Sequence, residues 1–202
     1  LVTVIEIVNP VLVLSAVLLG ALIGSAFALK VKMTSIPEMV ALFNGFGGLS
    51  SFFLAWSEFN NLSAISLIMI LSFMTVLIGG ITFSGSVVAF FKLSEILKGN
   101  NNFLNKASRW FLIFSFLFVI IAVIQVIAGG LGYEFIDLAL IQKIFIALLI
   151  ISLFTGLAFV LPIGGGDMPV VISLLNSFSG IAAASAGVLL TNTALIVAGC
   201  LV

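Results

Sequence analysis

The sequence contains no histidine, and Cys200 is its only cysteine. These absences exclude an intramolecular disulfide, Cys/His metal sites, Ser-His-Asp triads and Cys-His nucleophile pairs. We therefore predict no catalytic residue and no metal ligand in this chain. Charge is also scarce, at 7% of 202 residues, with seven Lys and Arg balancing seven Asp and Glu. Because the chain offers no basic face, we expect no nucleic-acid partner.

Apolar residues dominate, at 63% of the sequence. So much apolar surface cannot be hidden in a water-soluble core, which makes lipid the expected solvent. A spanning helix needs roughly 20 apolar residues. The predicted helices cover 10–29, 36–56, 63–92, 107–128, 137–161 and 168–190, and a seventh starts near 193. We predict an all-α fold, a polytopic transmembrane helix bundle in a single domain over residues 1–202.

Both ends of the sequence suggest an excerpt of a longer subunit. The chain starts at Leu1 rather than Met, and residues 1–9 do not resemble a signal peptide. From Thr193 to Val202 a helix would cover only about 15 Å, half of a hydrocarbon core of about 30 Å. We expect the seventh helix to continue and a soluble α/β domain with a Gly-rich dinucleotide loop to follow.

The cations indicate how the helices are oriented. Six of the seven would lie on one side of the membrane: Lys30, Lys32, Lys92, Lys98, Lys106 and Arg109. The positive-inside rule makes that side cytoplasmic. The turn at 164–167 then faces the cytoplasm, whereas 57–62 and 129–136 face outward. Lys143 would reach the outer interface by extending its long side chain.

Two parts of the sequence are similar to each other. At an offset of 132 residues, nine of the 25 positions from 24 to 48 are identical, including a shared Pro-x6-Asn-x-Phe-x-Gly spacing. Both copies run in the same direction across the membrane. We therefore predict a parallel internal repeat of helices 1-2 and 5-6, related by an axis along the membrane normal.

Asn44 and Asn176 are the aligned asparagines of this repeat, and both are predicted near mid-membrane, facing the interior of the bundle. Small and hydroxyl residues recur at spacings of three and four along helices two, three and six. In the third helix they are Ser72, Thr75, Gly79, Thr82 and Ser86. Two interpretations stay open: close helix packing with interhelical hydrogen bonds, or a wetted path for protons.

Two acidic residues mark the starts of predicted helices at the cytoplasmic side. Ser35-Ile36-Pro37-Glu38 fits a capping box, and Asp167 fits an N-cap before Pro169. The functional alternative is that Glu38 and Asp167 pass protons or bind a soluble partner. From the residues, Asn44, Asn176, Ser86 and Glu38 are candidates for a proton pathway.

Three segments resemble one known family: KMTSIPEMVALFNGFGGL from Lys32, TFSGSVVAFFKL from Thr82 and GGGDMPVVISLLNSFSGIAAASAGVLLTN from Gly164. They are similar, in order, to the membrane domain of the β subunit of proton-translocating NAD(P) transhydrogenase. The resemblance implies part of a proton channel, coupled to hydride transfer from NADH to NADP. NADP(H) and NAD(H) would bind partner domains, and this segment would bind no cofactor itself.

The resemblance also assigns residues. The family's channel asparagine falls on Asn176, its helix-three serine on Ser86 and its cytoplasmic-loop aspartate, which lies close to the nucleotide domain, on Asp167. Its intramembrane histidine aligns with Asn44, and an amide cannot titrate near neutral pH. Some members carry that histidine on a helix of the α side.

The implied partners are the transhydrogenase α subunit, the NADP(H)-binding domain and the lipid bilayer, in a dimer of the complex. The implied location is the bacterial cytoplasmic (inner) membrane. Two alternatives come from other functional classes. One is a small secondary transporter built from the parallel repeat, which would need a substrate-pairing charge deep in the bilayer. The other is a helical scaffold subunit that conducts nothing.

Overall fold

The computed structural model describes residues 10–61, 67–97, 102–130 and 138–202. Within these ranges the chain forms helices and no strand. The α-helices are α1 (Pro10–Lys30), α2 (Ile36–Asn60), α3 (Leu67–Leu93), α4 (Asn102–Gly130), α5 (Leu138–Val160), α6 (Met168–Leu189) and α7 (Thr193–Leu201). Helices α1 to α6 are long and apolar enough to span a membrane. The predicted all-α bundle of six complete helices and the start of a seventh is confirmed.

The helix bounds differ from the predicted ones mainly at polar ends. Helix α4 starts at Asn102 rather than 107, and α2 continues to Asn60 rather than 56. The prediction followed the apolar runs, whereas backbone hydrogen bonding continues a helix into the interface. Lys98, residues 1–9 and residues 131–136 of the predicted outward-facing segment 129–136 lie outside the described residues, whereas Gly129 and Gly130 belong to α4.

Helix α3 is the centre of the bundle, since it packs against α2, α5 and α6. Its glycines allow this, because Gly79 faces α2 and Gly80 faces Ser152 of α5. Helix α4 packs mainly on α5. Helix α1 lies at the edge, where its Phe27 ring meets Phe43 of α2 edge-on at 6.5 Å. A central helix with small residues on several faces therefore organises the fold.

Two apolar clusters hold the described helices together. One contains Phe59 of α2, Phe73 of α3 and Phe145 of α5, and the rings of Phe59 and Phe145 stack at 3.7 Å. The other joins the opposite ends of the same helices to the start of α6. Its buried members are Ala41, Val88, Ala89, Val160, Met168, Val171, Ile172 and Leu175. This second cluster fixes the surroundings of the predicted site residues.

The second helix of each predicted repeat copy is preceded by the same backbone conformation. A 3-10 turn, Met33–Ser35 or Gly165–Asp167, precedes α2 and α6. The residue before the turn is extended in both, with φ/ψ of −74°/151° at Lys32 and −69°/157° at Gly164. These residues are 132 apart, the offset between the two similar parts of the sequence. The repeat itself stays a prediction.

The close contacts of α7 on α6 also parallel those of α3 on α2. A Cβ on Gly79 would lie 2.7 Å from the carbonyl oxygen of Gly48 and against the backbone of Phe52. A Cβ on Gly199 would lie 2.6 Å from the carbonyl oxygen of Gly180 and against the backbone of Ala184. Gly180 and Ala184 stand 132 residues after Gly48 and Phe52. Helix α7 thus contacts α6 as α3 contacts α2.

Candidate functional site: a buried amide and hydroxyl pair

Asn44 of α2 and Ser86 of α3 form a buried side-chain-to-side-chain hydrogen bond between two helices. The Asn44 Nδ2 group donates to Ser86 Oγ over 3.4 Å, and the two side chains are 8% and 0% exposed. Asn44 Oδ1 is buried and has no hydrogen-bond partner. A buried amide oxygen left unpaired costs about 1–3 kcal/mol. The site therefore presents one free acceptor at a helix interface.

Glycines bring the two polar groups together. A Cβ on Gly45 would lie 3.1 Å from Cβ of Ser86, and one on Gly48 would lie 2.8 Å from both the Gly79 carbonyl oxygen and Cβ of Thr82. Backbone approach this close leaves no room for larger side chains. The glycines next to and one turn after Asn44 thus place its amide against Ser86.

The rest of the hydroxyl stripe on α3 is packed. Its hydroxyls donate to carbonyl oxygens of their own helix, Ser72 to Ile68, Thr75 to Leu71 and Thr82 to Ile78. All three side chains are fully buried. The structure therefore favours close packing over a wetted path for the stripe from Ser72 to Thr82. Ser86 differs, because its hydroxyl accepts from another helix.

Asn176 does not share this environment. Its side chain is exposed in the chain, so the expectation that both amides face the interior of this bundle is wrong for Asn176. The apolar positions of α6 explain its direction. Met168, Val171, Ile172 and Leu175 recur at helical spacing and turn one face toward α3 and α5. Asn176 follows Leu175 directly, so its side chain points about 100° away from that face. The roles predicted for Asn176 and Ser86 in proton passage stay predictions.

The capping bonds predicted for Ser35 and Asp167 are wrong, although both residues stand at N-cap positions with Pro in the first turn. Neither side chain makes a cap hydrogen bond. The preceding 3-10 turns give these residues φ/ψ of −97°/7° and −92°/−1° rather than the extended backbone that aims a cap side chain at the helix. The carboxylate of Asp167 is exposed and Glu38 is half-buried. Asp167 is thus available to a partner.

Lys92 makes contacts that the sequence analysis missed. Its ammonium group, at the end of α3, donates to the carbonyl oxygens of Val160 at 3.2 Å, Leu161 at 2.5 Å and Ile163. Sequence reasoning used Lys92 only as a marker of orientation. A lysine at the end of an apolar helix gives no signal of which distant carbonyls it contacts.

An open groove of about 430 Å³ lies between α2, α6 and α7. Small and hydroxyl side chains dominate its lining, which includes Gly47, Ser50, Ser51, Ser179, Gly180 and Ala183. No charged side chain among the residues with described burial is buried. A secondary transporter would need such a charge beside its substrate, so that alternative gains no support from the described part of the chain.

Comparison with known proteins points to one family. A family model described as NAD(P) transhydrogenase beta subunit matches residues 1–202. Two relatives, both named NAD(P) transhydrogenase subunit beta and both from Rhodospirillum rubrum, are each 33% identical over 196 residues. Those alignments cover 93% of this chain and 40% of each relative. The chain therefore spans well under half the length of these relatives.

Proposed function

This chain belongs to the NAD(P) transhydrogenase beta subunit family, and we propose that it forms the proton-translocating part of that subunit's membrane domain. Proton movement through the domain is coupled to hydride transfer from NADH to NADP. The nucleotides bind outside this segment, to an NADP(H)-binding domain of the same subunit and an NAD(H)-binding domain of the α subunit. The complex is a dimer in the bacterial cytoplasmic membrane.

The observation that carries the proposal is the Asn44–Ser86 pair with its unpartnered Oδ1 atom. The pair is buried at the interface of two helices that are long and apolar enough to cross a bilayer. An amide oxygen held there accepts a hydrogen bond from water or from a protonated group. That hydrogen bond is strongly favoured, because an unpaired acceptor is costly in a low dielectric.

The pair orders a proton path without storing the proton. Neither an amide nor an aliphatic hydroxyl titrates near neutral pH, and the sequence contains no histidine. The titrating group therefore comes from another membrane helix of the complex. Asn44 supplies the acceptor, Ser86 holds the amide in position, and Asn176 on the exposed face of α6 meets the path where the partner helices assemble.

The test is proton uptake in vesicles that hold the full complex. Asn44→Leu keeps the side-chain size and removes both polar atoms. We expect proton-coupled reduction of NADP to fall about 5- to 150-fold, the effect of losing roughly 1–3 kcal/mol of buried hydrogen bonding. The matched control is Asn60→Leu, which removes an exposed amide from the last turn of the same helix.

Equal rates in the parent, Asn44→Leu and Asn60→Leu complexes would contradict the proposal. That result would mean that Asn44 only packs between helices, and it would favour the alternative of a scaffold subunit that conducts nothing. Loss of coupling in Asn44→Leu alone, with normal assembly of the complex, supports a path through this pair.

A further inference from the structure

Lys92 joins two parts of the molecule that the proposed function needs to act together. It stands six residues after Ser86 on α3, about 9 Å along the helix axis. Its ammonium group reaches across to the turn that follows α5, where it contacts Val160, Leu161 and Ile163. That turn leads through three glycines to Asp167.

The ammonium group neutralises a helix end. The last carbonyl oxygens of an α-helix lack intrahelical partners and carry the negative end of the helix dipole. Val160 is the last residue of α5, and Leu161 and Ile163 follow it in the turn. Three donors of one cation match three backbone acceptors, so Lys92 has no ammonium proton left for an anion or a lipid headgroup.

The two parts of this turn are held differently: Leu161 and Ile163 pack against the second apolar cluster, whereas the glycines that lead to Asp167 make few side-chain contacts. Gly165 and Gly166 have nothing within 4 Å of an added Cβ, and the carboxylate of Asp167 makes no cap bond. A cavity of about 250 Å³, lined by Lys92, Leu97, Pro162 and Gly164 among others, lies beside it. Lys92 therefore supplies three side-chain hydrogen bonds between α3 and the end of α5 with its following turn.

The path from Ser86 to the turn is also packed. A Cβ on Gly85, next to Ser86, would lie 3.1 Å from Cγ2 of Val160 and 3.2 Å from Cδ2 of Leu175. Val160 thus touches α3 through its side chain beside Ser86 and through its carbonyl oxygen at Lys92. A displacement of α3 at Ser86 would move the turn through both contacts.

We propose that Lys92 is the positioning residue that holds the Asp167 turn in register with the Asn44–Ser86 pair. It keeps Asp167 where the nucleotide-binding domain meets the membrane domain. The inference rests on the proposed function, since it assigns the coupling between the buried pair and that interface.

The test uses the full complex with Cys200→Ala in this segment and the cysteines of the other segments and subunits replaced, and with a spin label on Gly165→Cys. Cys200 is the only natural cysteine of this chain, and an added side chain at Gly165 meets no neighbour. Lys92→Met keeps the length of the stem and removes the donors. We expect a more mobile label and a 2- to 30-fold slower coupled reaction, about the range for residues along a coupling network. Lys92→Arg restores donors and should recover most of both readouts.

Lys106→Met is the control, because Lys106 is an exposed cation on the side predicted to be cytoplasmic. It should change neither readout. If Lys92→Met fails to assemble, Lys92→Gln, with two donors on a shorter stem, is expected to show an intermediate increase in label mobility. An unchanged label in Lys92→Met or Lys92→Gln overturns the inference.

The two proposals fail in different ways. If Asn44→Leu abolishes coupling while Lys92→Met alters neither label nor rate, only the positioning role of Lys92 is wrong. If Asn44→Leu leaves coupling intact, the proposed proton path is wrong whatever Lys92 does to the label.

Discussion

Gly48 of α2 and Gly79 of α3 face each other at close range. A Cβ added to Gly48 would lie 2.8 Å from the carbonyl oxygen of Gly79, and a Cβ added to Gly79 would lie 2.7 Å from the carbonyl oxygen of Gly48. Real Cβ atoms do not approach backbone this closely, so neither position accepts a side chain while the helices stay in place. The contact lies one turn from Asn44. It therefore sets the distance between Asn44 and Ser86.

Replacing Gly48 by Ala should push α2 and α3 apart. We expect a loss of about 1–3 kcal/mol in stability, the usual effect of overpacking a tight contact. The proton-coupled rate should fall as well, because the Asn44–Ser86 hydrogen bond is already long at 3.4 Å and would lengthen further. The measurement is the thermal inactivation midpoint of the purified complex, together with coupled turnover.

Gly47→Ala is the matched control. An added Cβ at Gly47 meets nothing within 4 Å, and Ala in place of Gly favours a helix by roughly 0.5–1 kcal/mol. Gly47→Ala should therefore leave the midpoint unchanged or raise it. A drop of the same size in both variants would show that the Gly48 contact is not special.

Ser86→Ala should lower the proton-coupled rate more than the stability. The substitution removes the acceptor of Asn44 Nδ2 and leaves that buried donor unpaired, at about 1–3 kcal/mol. Ser72→Ala is the control, because Ser72 is equally buried but donates to a carbonyl of its own helix. The measurement is proton uptake by vesicles that hold either variant. Equal rates for Ser86→Ala and Ser72→Ala would show that Ser86 is not part of the proton path.

The sequence and the structure agree where apolar length decides the outcome. The six spanning helices follow from apolar runs alone. The buried face of α6 at Val171, Ile172 and Leu175 is not among the predictions, which turned the Asn176 face inward instead. The internal repeat also drew attention to Asn44, which was predicted to face the interior of the bundle and is buried there. It did not predict the exposure of Asn176, because burial depends on which helix covers a face and not on position within a repeat copy.

The side-chain roles at the helix starts illustrate another limit. Ser35 and Asp167 have the identity and position of N-caps, yet backbone dihedrals set by the 3-10 turns direct their side chains elsewhere. Lys92 is the reverse case, since its partners stand about 70 residues away and no periodicity connects them. Local propensity finds positions, and tertiary packing decides which bonds form.

Asp167→Asn should leave the fold intact and weaken function. The carboxylate is exposed and makes no cap bond, so removing its charge should change the stability by no more than about 0.5 kcal/mol. If the turn meets the nucleotide-binding domain, coupled hydride transfer should fall in the full complex. Parallel measurement of the inactivation midpoint and turnover tests this, and normal turnover would remove Asp167 from the interface.

Asn44→His should be tolerated. The resemblance places a histidine at this position, and the pocket already accommodates a planar polar group beside Ser86. The imidazole would supply a side chain that titrates near neutral pH, and the sequence contains no histidine. We expect coupled turnover to stay at or above the parent rate and to gain a pH dependence between about pH 5 and 8. A dead complex that assembles normally would contradict the tolerance.

Asn176→Leu separates two accounts of the exposed face of α6. If Asn176 faces lipid in the complex, leucine removes a polar group from hydrocarbon, and stability should rise or stay level. If Asn176 lies on the proton path, leucine removes its polar atoms and leaves their partners unpaired, and coupled reduction of NADP should fall strongly. We expect the second outcome, with proton uptake and turnover lost together. Ser177→Ala, on the same exposed face, is the control and should leave both unchanged. Full coupling in Asn176→Leu would assign the amide to packing and confine the path to Asn44 and Ser86.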